Sequence, residues 1–321
     1  MKSLPKQICI AFAVMSSWAF ADKMYWSDRG TNTLEYANRD GSNRGSFAIG
    51  TFSTGVAVDA LHGHVYWSEN GPSKVRRADL DGSNAVDVLT AVEAQGLALD
   101  VHRGKIYWTE DDFVANVSRV RRANLDGSGA ETVVTVTGGI AFASGIALDL
   151  QADKVYWVEF MNQKVKRAKL DGTQVQDLVT SGGSVSEIAL DTTNGKMYWG
   201  TCQSPAGIRR ANLDGTNAQP VIPGSAFGGL CAAGIDLDVA GGKLYWTDTN
   251  GPSVHRSNLD GTNSETLVSA GVISPNQLAL DTPPEFPAAI PAASTWGLAV
   301  LSLTLLAGGT CILRRPTSVG S

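Results

Sequence analysis

Six aspartates close six short apolar runs of similar composition: Asp59 in "GVAVD", Asp100 in "GLALD", Asp149 in "GIALD", Asp191 in "EIALD", Asp238 in "GIDLD" and Asp281 in "QLALD". Carboxylates gathered in a ring could hold a calcium ion, because hard cations take oxygen ligands. A basic residue, however, stands two positions before each of six recurring tyrosines: His64, Lys105, Lys154, Lys196, Lys243 and Lys23. Cross-strand ion pairs with the aspartates are the simpler expectation. "DLDGS" from Asp79 to Ser83 has the first residues of a calcium loop, but its equivalents begin with Asn or Lys, so it reads as a turn. The histidines His62, His64, His102 and His255 form no pair at metal-ligand spacing. No nucleophile elbow, phosphate loop or cysteine–histidine constellation is present. No catalytic residue, metal ligand or cofactor is therefore assigned, and calcium in a central channel is the one ion considered. Charged residues are 18 % of the chain and the net charge is −5, which argues against a nucleic-acid partner.

The remaining candidates are acids set among aromatics. "TEDDFVANVSRV" carries Glu110, Asp111, Asp112 and Phe113; "VEFMNQK" carries Glu159, Phe160 and Met161; Phe142 and Phe227 lie in longer connections. Such groups suit recognition of a basic or mixed polypeptide segment. A solvated acidic loop set with no partner is the plainer alternative.

The elements that must position these residues repeat. Tyr-Trp pairs begin at 25, 66, 107, 156, 198 and 245, giving spacings of 41, 41, 49, 42 and 47. Each unit holds an apolar run ending in Asp, a Tyr-Trp run, a run of the type "KVRRADLDG", and a fourth such as "VDVLT". Four short strands per 40–50 residues predict the blades of a propeller. Asp-Gly between apolar runs marks a tight turn. The chain past residue 21 opens on a Tyr-Trp strand and finishes on an inner strand, so Gln277–Asp281 must complete the first blade and close the ring. In "KIYWTE" Ile106 and Trp108 share one face while Lys105, Tyr107 and Thr109 share the other, so the Tyr-Trp pairs read as packing between blades.

Spacing also separates the two faces of the ring. Asp to Tyr is seven residues in every countable unit, as from Asp59 to Tyr66, so the bottom turns are uniform. Trp to Arg across the opposite loops is 10 in blades 2, 4 and 6 but 14 in blade 3 and 11 in blade 5. Variation thus concentrates on the top face, where binding is expected. The inner strands read as nearly uniform, which argues against a site in the pore.

These units resemble the YWTD repeats of the low-density-lipoprotein receptor family, over residues 22–282. The resemblance implies an all-β, six-bladed β-propeller. Only blade 6 keeps Thr-Asp after the pair, in "YWTD" at 245–248; blade 4 has Val158-Glu159 and blade 5 Gly200-Thr201.

The ends read differently. Residues 1–21 have a basic start, an apolar run and Ala19-Phe20-Ala21, the pattern of a secretion signal. Residues 283–295 form a Pro-rich linker, 296–313 an apolar run long enough to span a membrane, and 314–321 a short tail opened by Arg314-Arg315. Ile290-Pro291, Trp296-Gly297 and the two arginines resemble bacterial IPTL-type C-terminal sorting signals, which implies an envelope protein whose tail is recognised. Outside these ends only Cys202 and Cys231 remain, both on top-face loops, and a disulfide between them is expected.

The leading expectation is a monomeric, non-catalytic binding module at the cell envelope, taking a protein or peptide at its top face and tethered through the C-terminal helix. Two alternatives stay open. One is a propeller hydrolase of the gluconolactonase or strictosidine-synthase type with a channel metal; the other is a structural spacer.

Overall fold

The computed structural model describes residues 22–282, apart from 72, 91, 92, 137, 138, 204 and 205. The expected signal segment, linker, spanning run and tail lie outside the described residues. Among the described residues no helix is long and apolar enough to cross a membrane.

The chain forms a six-bladed β-propeller. Twenty-four strands make six four-stranded antiparallel sheets. Blade 3, for example, runs outward through Ala94–Asp100, Lys105–Asp112, Val117–Asn124 and Glu131–Val136. The expected closure is present. Pro275–Leu280 joins Lys23–Asp28 as the innermost strand of blade 1, pairing Tyr25 with Ala279 and Met24 with Leu280.

Strand alternation gives each Tyr-Trp pair two opposite faces. Tyr66 of blade 2 packs with Trp108 of blade 3, and Tyr107 of blade 3 with Trp157 of blade 4. The same pairing continues round the ring to Tyr245 with Trp26 and Tyr25 with Trp67. Each wedge between blades is thus filled by two aromatics from different repeats. Arginines of the third strands add polar ties to the next blade: Arg122 donates to the Leu170 carbonyl, Arg167 to Leu213 and Arg256 to Arg39.

The residue after each Tyr-Trp pair makes a further tie. Ser27, Ser68, Thr109 and Thr247 donate their hydroxyls to carbonyls of the next blade's inner strand: Thr54, Gln95, Ser144 and Asn276. Val158 and Gly200 cannot. In those two blades the hydroxyl comes from the inner strand instead, Ser144 donating to Val185 and Ser186 to Ala232. The departures from Thr in blades 4 and 5 are therefore compensated one strand away.

The turn glycines have a steric reason. Gly127 sits at φ +85°, and a Cβ there would lie 1.8 Å from the Val88 carbonyl oxygen of the preceding blade. Only glycine tolerates both conditions. The "DLDGS" stretch is a turn: Asp81 accepts from the Ser83 amide at 2.9 Å and its hydroxyl at 2.6 Å.

The aspartates at the inner-strand ends correct one expectation. They face the basic residues in register, Asp100 opposite Lys105 and Asp191 opposite Lys196. Yet no aspartate–lysine ion pair forms between them among the described residues. Each aspartate instead caps its own turn: Asp59, Asp100, Asp149, Asp191 and Asp238 accept the amides of His62, Arg103, Ala152, Asn194 and Gly241 at 2.8–3.0 Å. The short side chain reaches the turn amide first, as in Asx turns. Lys105, Lys196 and Lys243 reach across the hairpin to Asn124, Asn212 and Asn258. Asp281 caps the closure, accepting from the Lys23 amide at 2.7 Å.

Arg39 fastens that seam. It replaces the leucine found at the matching turn position of the other blades, such as Leu80 and Leu125. Its guanidinium pairs with Asp22, Asp238 and Asp281 at 3.1, 3.1 and 3.4 Å.

Candidate functional site at the mouth of the central channel

The blade 3 insertion extends a hairpin. Glu110, Asp111 and Asp112 belong to the strand Lys105–Asp112, and only Phe113 to Asn116 form the turn. Two residues apart on a strand means the same face. Glu110 therefore lies under Trp108, accepting its indole N–H at 3.0 Å, and Glu159 accepts from Trp157 at 3.2 Å. Both carboxylates are buried and paired, with Arg121 and with Lys166, each at 3.3 Å. They are structural supports for the wedges and do not face a partner. Where the position holds the shorter Asp, the carboxylate serves the top loops instead. Asp28 takes the amides of Gly30 and Ser274, and Asp248 those of Cys231 and Asn250.

Asp111 points the other way, into the mouth of the channel. It is 2 % exposed, accepts from the Ser118 hydroxyl and the Ala143 amide, and its Oδ2 has no partner among the described residues. Burial pushes its carboxyl above the usual range. Asp112 caps the hairpin turn at the Val114 and Ala115 amides, 3.1 and 2.8 Å, and pairs with Arg119 at 2.9 Å. The Ala115 amide and Arg119 hold its carboxyl below the usual range.

The aromatics gather. Phe113 and Phe142, 55 % and 42 % exposed, meet edge to face at 5.8 Å. The Phe160 amide donates to Phe142 and the Met161 amide to Ala141, so the blade 4 loop is stitched to the connection carrying Phe142. Met161 is 59 % exposed. Phe142 itself holds φ +48°, an uncommon conformation for a bulky residue. Phe227 lies apart, packed on His255 at 4.3 Å and on Trp246.

Asp111, Phe142 and Phe160 help wall a cavity of about 340 Å³ at the top of the channel, with Arg29, Gln95 and Asn276 among others. The expected disulfide is formed and stands in the same wall. Cys202 and Cys231, with Cα atoms 4.1 Å apart, join the blade 5 loop to the connection before blade 6. Arg29 supplies the cation of the mouth, donating from Nε to the Ser53 carbonyl at 3.2 Å.

The channel interior corrects a second expectation. Three inner-strand positions break the repeat: Glu187 and Gln277 replace glycine, and Asp236 replaces alanine. They come from adjacent inner strands of blades 5, 1 and 6 and meet in the pore. Gln277 lies in the walls of both the upper mouth and a second cavity beneath it, so this layer divides the channel. The signal was in the sequence, as departures from "GxALD" in three consecutive strands of the ring.

Comparison with known proteins supports the architecture. No family model matches the chain. A curated relative, low-density lipoprotein receptor-related protein 1 of Pyricularia oryzae, is 34 % identical over 107 residues, 32 % of this chain and 35 % of the relative. The match thus spans about a third of that protein's length. Among solved structures, a nidogen/laminin complex includes a chain similar at TM-score 0.70 and 17 % identity, covering 81 % of this chain and 98 % of that one. TolB from Acinetobacter baumannii is similar at TM-score 0.65 and 10 % identity, covering 82 % of this chain and 67 % of that one. At these identities the likeness is one of fold.

Proposed function

We propose that the protein is a non-catalytic, exported binding module that recognises a protein or peptide at the upper mouth of its propeller. In this reading residues 1–21 direct export and 296–313 hold the monomer at the cell envelope. The disulfide suits an oxidising compartment. The observation that carries the reading is the exposed apolar cluster of Phe113, Phe142 and Met161 beside a mouth with a cation and a buried acid, Arg29 and Asp111. Aromatic anchors round a polar centre are how protein interfaces concentrate binding energy. Phe142 holds positive φ and leaves much of its ring exposed, a backbone cost of the kind met at recognition sites. That a nidogen/laminin complex contains a similar propeller fits a partner of this kind.

The test places a photo-crosslinking residue at Phe113 or Met161 of the full chain in its native envelope, with His62 on the bottom face as the control. One protein should be captured from the top positions and not from His62. Excess wild-type chain should compete, and the Phe113→Ser/Phe142→Ser variant should not. Equal capture from both faces, or none, overturns the reading.

A further inference from the structure

Below the Glu187–Gln277 layer lies a second cavity of about 280 Å³. Its walls are aliphatic: Val58, Leu99, Leu148, Leu190 and Leu280 ring it. Ala60, Val101, Leu150 and Thr282, which follow the inner strands, line its lower end, so it opens on the bottom face. Its inner end is polar. Glu187 is only 5 % exposed, its Oε1 accepts from the Ile188 amide at 3.0 Å, and its Oε2 has no hydrogen-bond partner among the described residues. The glycine layer makes room for it: a Cβ on Gly145 would lie 2.2 Å from Glu187 Oε1. Gln277 crosses the channel, its oxygen accepting from the Val56 amide at 3.1 Å.

A buried carboxylate oxygen without a partner is costly, and the neighbouring Asp236 makes it more so. We propose that this lower cavity binds a small primary alkylamine, its ammonium head on Glu187 and its alkyl chain among the leucines. The chemistry favours an ammonium over a divalent metal. Both oxygens of Asp236 already accept backbone amides, from Leu237 and Leu280, each at 2.8 Å. One free Glu oxygen and a Gln amide fall well short of the 6–8 oxygens a calcium ion takes. Among the described residues no cluster of three or more metal-ligating side chains occurs. The leucines and valines of the walls supply no metal ligand, whereas an alkyl chain buries against them.

The site is proton-linked. Burial pushes the Glu187 carboxyl well above the usual range and Asp236 beside it adds to this, while the Ile188 amide, the Gln277 side chain and the Ile146 amide pull the other way. Burial also raises Asp236, to about 6, with Arg39 opposing and Asp238 reinforcing. The blade 2 and blade 4 walls present Val56, Gly145 and Ile146, which carry no charge, and the blade 3 wall presents Leu97 and His102. An entering ammonium stabilises the ionised carboxylate, so amine binding and ionisation of Glu187 favour one another. Affinity then rises with pH until the amine itself deprotonates near the ordinary amine pKa, about 10.

The experiment is calorimetric titration of the full chain with n-hexylammonium chloride, with 1-hexanol and calcium chloride as comparison ligands. A charge-assisted hydrogen bond corresponds to about tenfold or more in affinity. At pH 8 hexylammonium should bind one to one and at least about tenfold tighter than hexanol. At pH 5 the preference should shrink. Glu187→Gln should lose the preference while keeping hexanol. The pH profile of the wild type stands as a test without that variant. Equal affinity for amine and alcohol at pH 8, no binding of either, or displacement of the amine by calcium overturns the proposal.

Discussion

Between neighbouring blades the repeat barely varies; inside the channel it breaks. Every wedge holds a tyrosine from one blade and a tryptophan from the next, all essentially buried. The inner strands put Glu187, Asp236 and Gln277 where other blades have glycine or alanine. The difference follows from the number of neighbours. A wedge residue must fit two sheets at once, at the packing density of a protein interior. A channel residue is bounded on one side by open volume, so a larger or polar side chain disturbs only its own layer. Departures from the repeat therefore accumulate on the axis and at its rims, while the wedges hold the ring.

The largest effect that sharpens this contrast is expected from Trp157→Ala. It empties a wedge and leaves Glu159 without its indole donor, and should lower unfolding free energy by about 3–5 kcal/mol in urea titrations. A loss below about 1 kcal/mol would mean the wedges are not what holds the blades. A smaller effect, about 2–3 kcal/mol, is expected from Arg39→Ala, which leaves the mostly buried Asp281 uncompensated at the seam. Hydrogen exchange should then accelerate in Lys23–Asp28 and Pro275–Leu280 before any other strands; uniform acceleration would contradict a seam role. The smallest tests the compensating hydroxyl. Ser144→Ala should cost about 1 kcal/mol, and adding Val158→Thr should restore it. If Val158→Thr gives no recovery, the two positions are not interchangeable donors.

The architecture was legible because its signals are local and repeated. Tyr-Trp pairs, Asp-Gly turns and the missing inner strand of blade 1 each follow from period-2 alternation and turn chemistry. The site was less legible, for two physical reasons. An acid two residues after a tryptophan and an acid in a loop look alike by composition. What distinguishes Glu110 from Asp111 is strand phase, which turns the first under an indole and the second into the mouth. The channel residues were visible as letters, but three scattered departures become a layer only when the ring sets their strands side by side. Phe113 and Phe142 fell where the uneven loop lengths pointed, since longer loops are free to expose apolar groups, whereas Met161 sits in a blade 4 loop of ordinary length.

The closure of the ring has a consequence in time. The strand Lys23–Asp28 emerges from synthesis among the first described residues, and its inner partner, Pro275–Leu280, among the last. Until then blade 1 has an unsatisfied edge, and Tyr25 and Trp26 lack half of their packing. Contacts this distant in the chain form slowly. The ring stays open until its final strand arrives and snaps shut only then.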